Sequence, residues 1–195
     1  MGGATTRLPG SERKALIEAA AGKLFGEKGY EATTLDEIAA AAGVTKPILY
    51  RHFDSKTALY MALLERHRDD LPSFVSPEMA GSLQEALGPI LESWFAYVGE
   101  RGFAWKMLFR DSGGGPEIEA ERADVHLRAQ KVMAEIIDAG SGGAIPAEQL
   151  IPTAELVSMG MAGLALWSLE HPEVQRSDLV GATERMVRGL LLAAR

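Results

Sequence analysis

The 195-residue chain contains no cysteine, which excludes disulfides and thiolate chemistry and fits a reducing, cytoplasmic setting. It contains no asparagine either, so it has no N-glycosylation sequon. No stretch approaches the roughly 20 uninterrupted apolar residues that span a bilayer, and Met1 to Gly10 lacks the apolar region of a secretory leader. A membrane is therefore not among the expected partners. Alternating β-branched and aromatic runs are missing as well, which leaves an all-helical architecture. The usual enzyme motifs are absent: there is no Gly-x-Ser-x-Gly elbow, no P-loop and no His-Glu-x-x-His. His52, His67, His126 and His171 lack metal-ligand spacing, and Gly140 to Gly143 has no Lys-Ser/Thr pair after it to hold a phosphate. Glu117, Glu119 and Glu121 suit a helix start better than acid–base chemistry. No cofactor, metal or catalytic residue is expected, and an all-helical enzyme is the least favoured reading.

What is present is enough for a full core: 47% of residues are hydrophobic and 24% charged. The net charge of −7 at first argues against a nucleic-acid partner, but its distribution does not. Residues 1–67 hold nine Lys/Arg and eight Asp/Glu, a balance of +1, so the remainder carries −8. Between Val44 and Tyr60, Lys46, Arg51 and Lys56 face Asp54 alone. One cationic surface on an acidic body fits these numbers.

Helical periodicity and punctuation predict about nine helices. Ser11 is a candidate cap for a first helix that Gly29 ends, with Ile17, Ala20, Ala21, Leu24 and Phe25 on one face. Thr34 and Glu37 form a capping box for a short helix carrying Leu35, Ile38, Ala39 and Ala42. Gly43 is placed for a left-handed turn, Thr45 for the next cap and Pro47 for the first turn after it. A fourth helix starts at Ser55 and stops before Pro72. Further helices are expected over 83–100, with a kink at Gly88-Pro89, and over 103–110, 116–138, 152–170 and 177–193. Residues 11–60 read as a three-helix DNA-binding unit and 61–195 as a helical ligand-binding and dimerisation body. The change of composition between them falls at Arg68 to Ser82.

The strongest constellation is helix, glycine turn, helix from Thr34 to Phe53. A first helix there holds a second at a fixed angle, so that the second can enter a major groove. Leu49 and Phe53 face the core, leaving Thr45, Lys46, Ile48, Tyr50, Arg51 and His52 mainly outside. Thr45, Lys46 and Arg51 are candidates for base edges, and Pro47 and Ile48 for a thymine methyl. Tyr50, His52, Lys56 and the helix start at Thr33 and Thr34 are candidates for phosphates. The competing account is a helical hairpin whose polar face is merely solvated. Leu24-Phe25 and Gly29-Tyr30, followed by Thr33-Thr34-Leu35-Asp36-Glu37-Ile38-Ala39 and Gly43 through Lys56, closely resemble the DNA-binding domain of tetracycline-repressor-type (TetR family) regulators. The resemblance covers residues 11–60 and becomes architectural beyond about residue 70. It implies a nine-helix homodimer, a near-palindromic double-stranded operator, and release when a small molecule enters the body. Two positions depart from the pattern: Ile48, where a small or hydroxylated residue is frequent, and Arg51, where His or another aromatic is common.

In the body, the last two helices are apolar on more than one face. Leu156, Gly160, Gly163, Leu164 and Trp167 on one, with Leu179, Met186 and Leu190 on the other, are the expected dimer interface, as pairs of helices making a four-helix bundle. Burial of both helices inside one subunit is the alternative. Trp94, Tyr97, Trp105, Phe109, Met133, Met159 and Met161, with His126 as a polar anchor, are candidates to line a pocket for a small apolar or amphipathic ligand. Phe95, Phe103 and Met107 belong to the same aromatic and Met-rich set. Ordinary core packing is the competing account for each of them.

Overall fold

A computed structural model describes residues 9–70 and 83–193. Among the described residues the chain forms nine helices and no strand. In order they are α1 (Gly10–Ala32), α2 (Leu35–Ala41), α3 (Lys46–Tyr50), α4 (Lys56–Asp70), α5 (Leu83–Glu100), α6 (Gly102–Phe109), α7 (Gly115–Ser141), α8 (Ala147–Glu170) and α9 (Arg176–Ala193).

Several ends differ from expectation for local reasons. Pro9, not Ser11, occupies the cap of α1. Gly29 does break α1, with φ 78° and ψ 171°, yet one further turn follows before Thr33. Only glycine adopts that backbone without strain. The capping box of α2 forms in full, and Gly43 takes φ 65° in the turn after it. Thr45 precedes α3 without a side-chain cap bond, whereas Ser55 Oγ accepts from the Ala58 amide and caps α4. α5 runs through Gly88-Pro89 as one helix. α8 starts at Ala147, with Pro152 inside it. Pro152 and Glu148 are both exposed, so the carbonyl that Pro152 leaves unpaired faces water. α4 ends at Asp70; Pro72 lies outside the described residues. α8 also has the length and composition of a helix that could cross a bilayer, contrary to the reading of its sequence. Ala154, Val157, Ala162 and Ala165 on it are buried inside the protein.

Three hydrophobic clusters hold the helices. The first joins Ile17, Phe25, Ile38, Leu49, Leu59, Tyr60 and Leu64 of α1–α4 to Met107 of α6 and Ile118 of α7. The second lies among α5, α6, α8 and α9 with Ile136 of α7, and the third between α7 and α8. The division expected at residue 60 therefore falls inside α4, and the core of the N-terminal unit reaches into the body.

α6 is the shared element. Phe103 lies against α1 at Gly22 and Gly26, where an added Cβ would meet the Phe103 ring at 2.6 Å and its Cβ at 2.7 Å. Trp105 and Phe109 point the other way, into the second cluster. The two glycines let α1 and α6 approach closely, so that a shift of α6 is felt directly by α1.

Candidate DNA-contacting face and body cavity

Ile38 and Leu49 are fully buried, and Ala39 and Phe53 nearly so, which fixes α2 against α3. Thr45, Lys46, Pro47, Tyr50 and Arg51 are exposed on one side of this pair, with Ile48 and His52 half-buried beside them. Arg51 makes no ion pair among the described residues and is available to an incoming acceptor. Lys46 donates to Asp36 at 2.7 Å, which raises its pKa, but both side chains are exposed, and water or DNA can compete for the bond.

Three expected DNA contacts have other work. Thr33 is fully buried, its hydroxyl donating to the carbonyls of Gly29 (2.8 Å) and Leu24 (3.3 Å), so it cannot reach a phosphate. Lys56 Nζ donates to the carbonyls of Tyr30 (2.8 Å), Thr33 (3.0 Å) and Glu31 (3.5 Å) and sits 4.2 Å from the centre of the Tyr30 ring. All three ammonium protons are engaged in closing the end of α1, so the phosphate role is withdrawn. Thr34 is exposed, but its hydroxyl accepts from the Glu37 amide and donates to the Glu37 carboxylate. That carboxylate is held at a pKa of about 2, first by the Lys28 ammonium and then by the Thr34 amide and hydroxyl. An anion at the start of α2 opposes a phosphate at the same place. The Lys56 bonds are tertiary: the residue reads as one more surface cation until α1 and α4 are packed together.

Between α5, α6, α7 and α8 lies a cavity of about 650 Å³, within the range of small-molecule sites. Trp94, Trp105, Phe109, His126, Met133, Met159 and Met161 line it, in agreement with their expected position. Tyr97 does not; its hydroxyl is 2.7 Å from His67 Nδ1, and both residues are buried between α4 and α5. Phe95, Phe103 and Met107 are also outside the lining, packed in the clusters. Sequence reasoning found only His126 and Met133 on α7 and missed the rest of the wall that this helix contributes, Arg122, Val125, Ala129, Val132 and Ile136. With His126 and Met133 these residues recur at three- and four-residue intervals, the signature of one helix face. Their chemistry is mixed rather than aromatic, which hid the stripe.

The cationic residues of the wall differ in how they are compensated. Arg68 pairs with Glu121 at 2.8 Å, Arg128 with Asp124 at 2.6 Å and His126 with Glu155 at 3.0 Å. Arg122, whose side chain is only 10% exposed, mostly meets neutral acceptors. Its Nε donates to the Met107 carbonyl (3.1 Å), and its Nη2 to the Tyr60 hydroxyl (2.9 Å) and the Gly113 carbonyl (2.8 Å). Its nearest carboxylate oxygen, Asp111 Oδ2, is 3.7 Å away. That oxygen accepts from the Tyr60 hydroxyl at 3.0 Å and from the Tyr30 amide at 2.7 Å, at the break in α1. Burial pushes the Tyr60 hydroxyl well above its ordinary range, with Arg122 opposing, so it stays a donor to Asp111.

The outer side of α8 and α9 exposes what a globular surface normally hides. Leu156 is 71% exposed, and Trp167, Met186 and Leu192 are exposed as well. Gly160, Gly163 and Gly189 have open space where a Cβ would be. Leu179 is an exception among the expected interface residues: it is 8% exposed, buried in the second cluster against α5. Leu164 and Leu190 are partly buried in the same cluster, so they serve the subunit's own core first.

Known proteins match this arrangement. Residues 17–63 match the family model of bacterial regulatory proteins, tetR family. The chain is 28% identical over 186 residues to the HTH-type transcriptional activator FasR of Mycolicibacterium smegmatis, covering 94% of this chain and 84% of that protein. A shorter match, 57% identical over 37 residues, is to IcaR, the HTH-type negative transcriptional regulator of the biofilm operon icaADBC in Staphylococcus aureus; it covers 19% of this chain and 20% of that one. Among solved structures, a tetR-family regulator from Streptomyces coelicolor superposes with a TM-score of 0.72 at 25% identity, over 96% of this chain and 83% of that one. FadR of Bacillus subtilis, in complex with stearoyl-CoA, shares the fold with a TM-score of 0.68 at 15% identity, over 91% and 97%. These relatives are regulators of transcription, not enzymes.

Proposed function

We propose that this chain, whose residues 17–63 match the tetR family of bacterial regulatory proteins, is a DNA-binding transcriptional regulator that acts in the cytoplasm as a homodimeric repressor, leaving a near-palindromic operator when a small apolar or amphipathic molecule fills the body cavity. The observation that carries the reading is the position of the cavity. Its wall includes Trp105, Leu108 and Phe109 of α6, while Phe103 of the same helix packs on the glycines of α1. A molecule that displaces α6 also displaces the helix that anchors α2 and α3. Stearoyl-CoA bound to a protein of the same fold is in keeping with an amphipathic ligand.

Arg51, Lys46 and Thr45 read base edges, Pro47 and Ile48 meet a thymine methyl, and Tyr50 and His52 bind phosphates. The exposed stripes of α8 and α9 meet their copies, with Leu156, Gly160, Gly163, Trp167 and Met186 at the contact, and a two-fold dimer then presents α3 twice to the duplex. FasR is an activator and IcaR a negative regulator, so repression is the part of the proposal that a reporter gene must decide. The test is selection of bound DNA from a random pool, followed by titration of compounds that displace the protein. A two-fold symmetric site and a releasing compound are expected. Selection of an asymmetric site bound by a monomer would overturn the dimeric reading, and failure of every cavity-filling compound to change either Tm or DNA affinity would overturn the sensor.

A further inference from the structure

We propose that Arg122 is the anchor for an anionic head group on the ligand, and that the same guanidinium carries occupancy of the cavity to the break in α1. The inference rests on the sensor reading and adds to it a ligand class, a residue and a route.

Among the described residues, the wall of the cavity contains Arg68, Arg122, Arg128 and His126 and no Asp or Glu. The carboxylates that compensate these groups, Glu121, Asp111, Asp124 and Glu155, are not among the lining residues. An apolar chamber with cations in its wall and their counter-charges outside favours an anion and opposes a cation. Arg122 stands out among the four for its burial, its side chain being 10% exposed against 27% for Arg68, 32% for His126 and 65% for Arg128. Its Nε–H and both Nη2–H groups are used, and Nη1 makes no hydrogen bond among the described residues. Two donors of a side chain that is only 10% exposed are thus left over on a residue of the cavity wall, where a ligand oxygen would give them a charge-assisted hydrogen bond. The remaining wall, from Trp94 and Trp105 to Val132, Ile136 and Met161, suits an aliphatic tail.

The bonds on the other side of the guanidinium lead to the DNA-binding unit. Arg122 Nη2 holds the Tyr60 hydroxyl of α4, Tyr60 holds Asp111, and Asp111 accepts from the Tyr30 amide next to Gly29. An anion on Nη1 neutralises the charge that Asp111 now faces at 3.7 Å, and so weakens the hold of Asp111 on the start of the last turn of α1. Lys56, which closes that turn, and Thr57, whose Oγ1 is 2.8 Å from the Tyr30 hydroxyl, lie at the beginning of α4 beside α3.

The test compares three probes with the same tail: sodium dodecanoate, dodecyl phosphate and dodecan-1-ol, each titrated into the full chain with Kd read by calorimetry. At least one anion should bind about tenfold or more tightly than the alcohol, because a hydrogen bond to a charged partner is worth more than a neutral one. Comparing the two anions then tells a carboxylate head from a phosphate head. In Arg122→Gln the preference for the anion should fall to about threefold or less, whereas Arg128→Gln should keep it. Since Arg122 also supports Met107 and Gly113, Arg122→Lys, which keeps the charge, should retain part of the preference, and the wild-type comparison needs no variant. Amide exchange at Tyr30 should speed up with the anion and not with the alcohol. Equal binding of acid and alcohol would overturn the anchor while leaving the sensor in place. An anion preference that survives Arg122→Gln would overturn the residue, and unchanged Tyr30 exchange the route. If no probe binds and no neutral or cationic compound shifts Tm, the sensor reading itself falls.

Discussion

The two regions of this protein spend their large side chains differently. Around α1–α4 the large apolar residues of the first cluster are buried against one another, and apart from Leu16 and Tyr50 the outer face is left mainly to polar and charged groups. In the body, comparable side chains surround about 650 Å³ of space and leave Leu156, Trp167 and Met186 in water. The first region is packed as a finished object that meets a charged polymer at its surface. The second is packed as an incomplete one, with an unfilled interior and an uncovered outer face, as befits a part that answers to other molecules.

The contrast can be broken most forcefully from the packed side. Leu49→Ala removes a fully buried side chain between α2 and α3 and should cost about 2–5 kcal/mol, with loss of DNA binding, in urea denaturation and gel-shift assays. If the loss were well under 1 kcal/mol, the N-terminal core would be looser than its burial indicates. Enlargement separates the regions more sharply than truncation. Gly26→Ala places a Cβ 2.7–2.8 Å from Phe103 Cβ and Cα and should destabilise by about 1–3 kcal/mol. Ala129→Leu adds more atoms but adds them to the cavity wall, so its stability should change by no more than about 1 kcal/mol while ligand binding is lost. Equal destabilisation by the two would mean that the cavity collapses in solution.

A smaller effect is expected at the cap of α2. Thr34→Ala should cost about 0.5–2 kcal/mol, read from the thermal midpoint. The smallest is a pH effect at the same place. Glu37 titrates at about 2 in the folded chain against an ordinary value of 4.5, so its contribution is whole above 4.5 and is lost as pH falls towards 2. Glu37→Gln should flatten that part of the acid limb and, at neutral pH, lose the Lys28 ion pair while Gln keeps the capping-box position. A variant with the same acid slope as the wild type would show that other carboxylates set it.

The two regions were also unequally legible. The capping box at Thr34 and Glu37, the positive φ of Gly43 and the inward pair Leu49 and Phe53 are short-range consequences of residue type, and each was found where local rules put it. The aromatic part of the cavity was legible from composition alone. Lys56 and Tyr97 differ from expectation because their partners are backbone carbonyls and a histidine on other helices, and no spacing within one segment reveals those; Thr33 differs because its hydroxyl turns back onto the carbonyls of α1 at the Gly29 break. Leu179 was misjudged because apolarity on two sides of a helix does not say which side its own subunit covers.

By itself, then, the order of residues determined the helices, the turn of the DNA-binding motif and which of its faces is cationic, since these follow from propensity, capping and period over a few residues. Only the tertiary structure decided that Lys56 closes α1 rather than meeting DNA, that a whole face of α7 beyond His126 and Met133 lines the cavity, and that Arg122 lies between the cavity and the break at Gly29. Those facts depend on where carbonyls, charges and empty space meet across helices 20 to 90 residues apart in the chain. Burial then decides which meetings matter, because a charge that water would screen on an isolated helix must find its partner inside the folded protein.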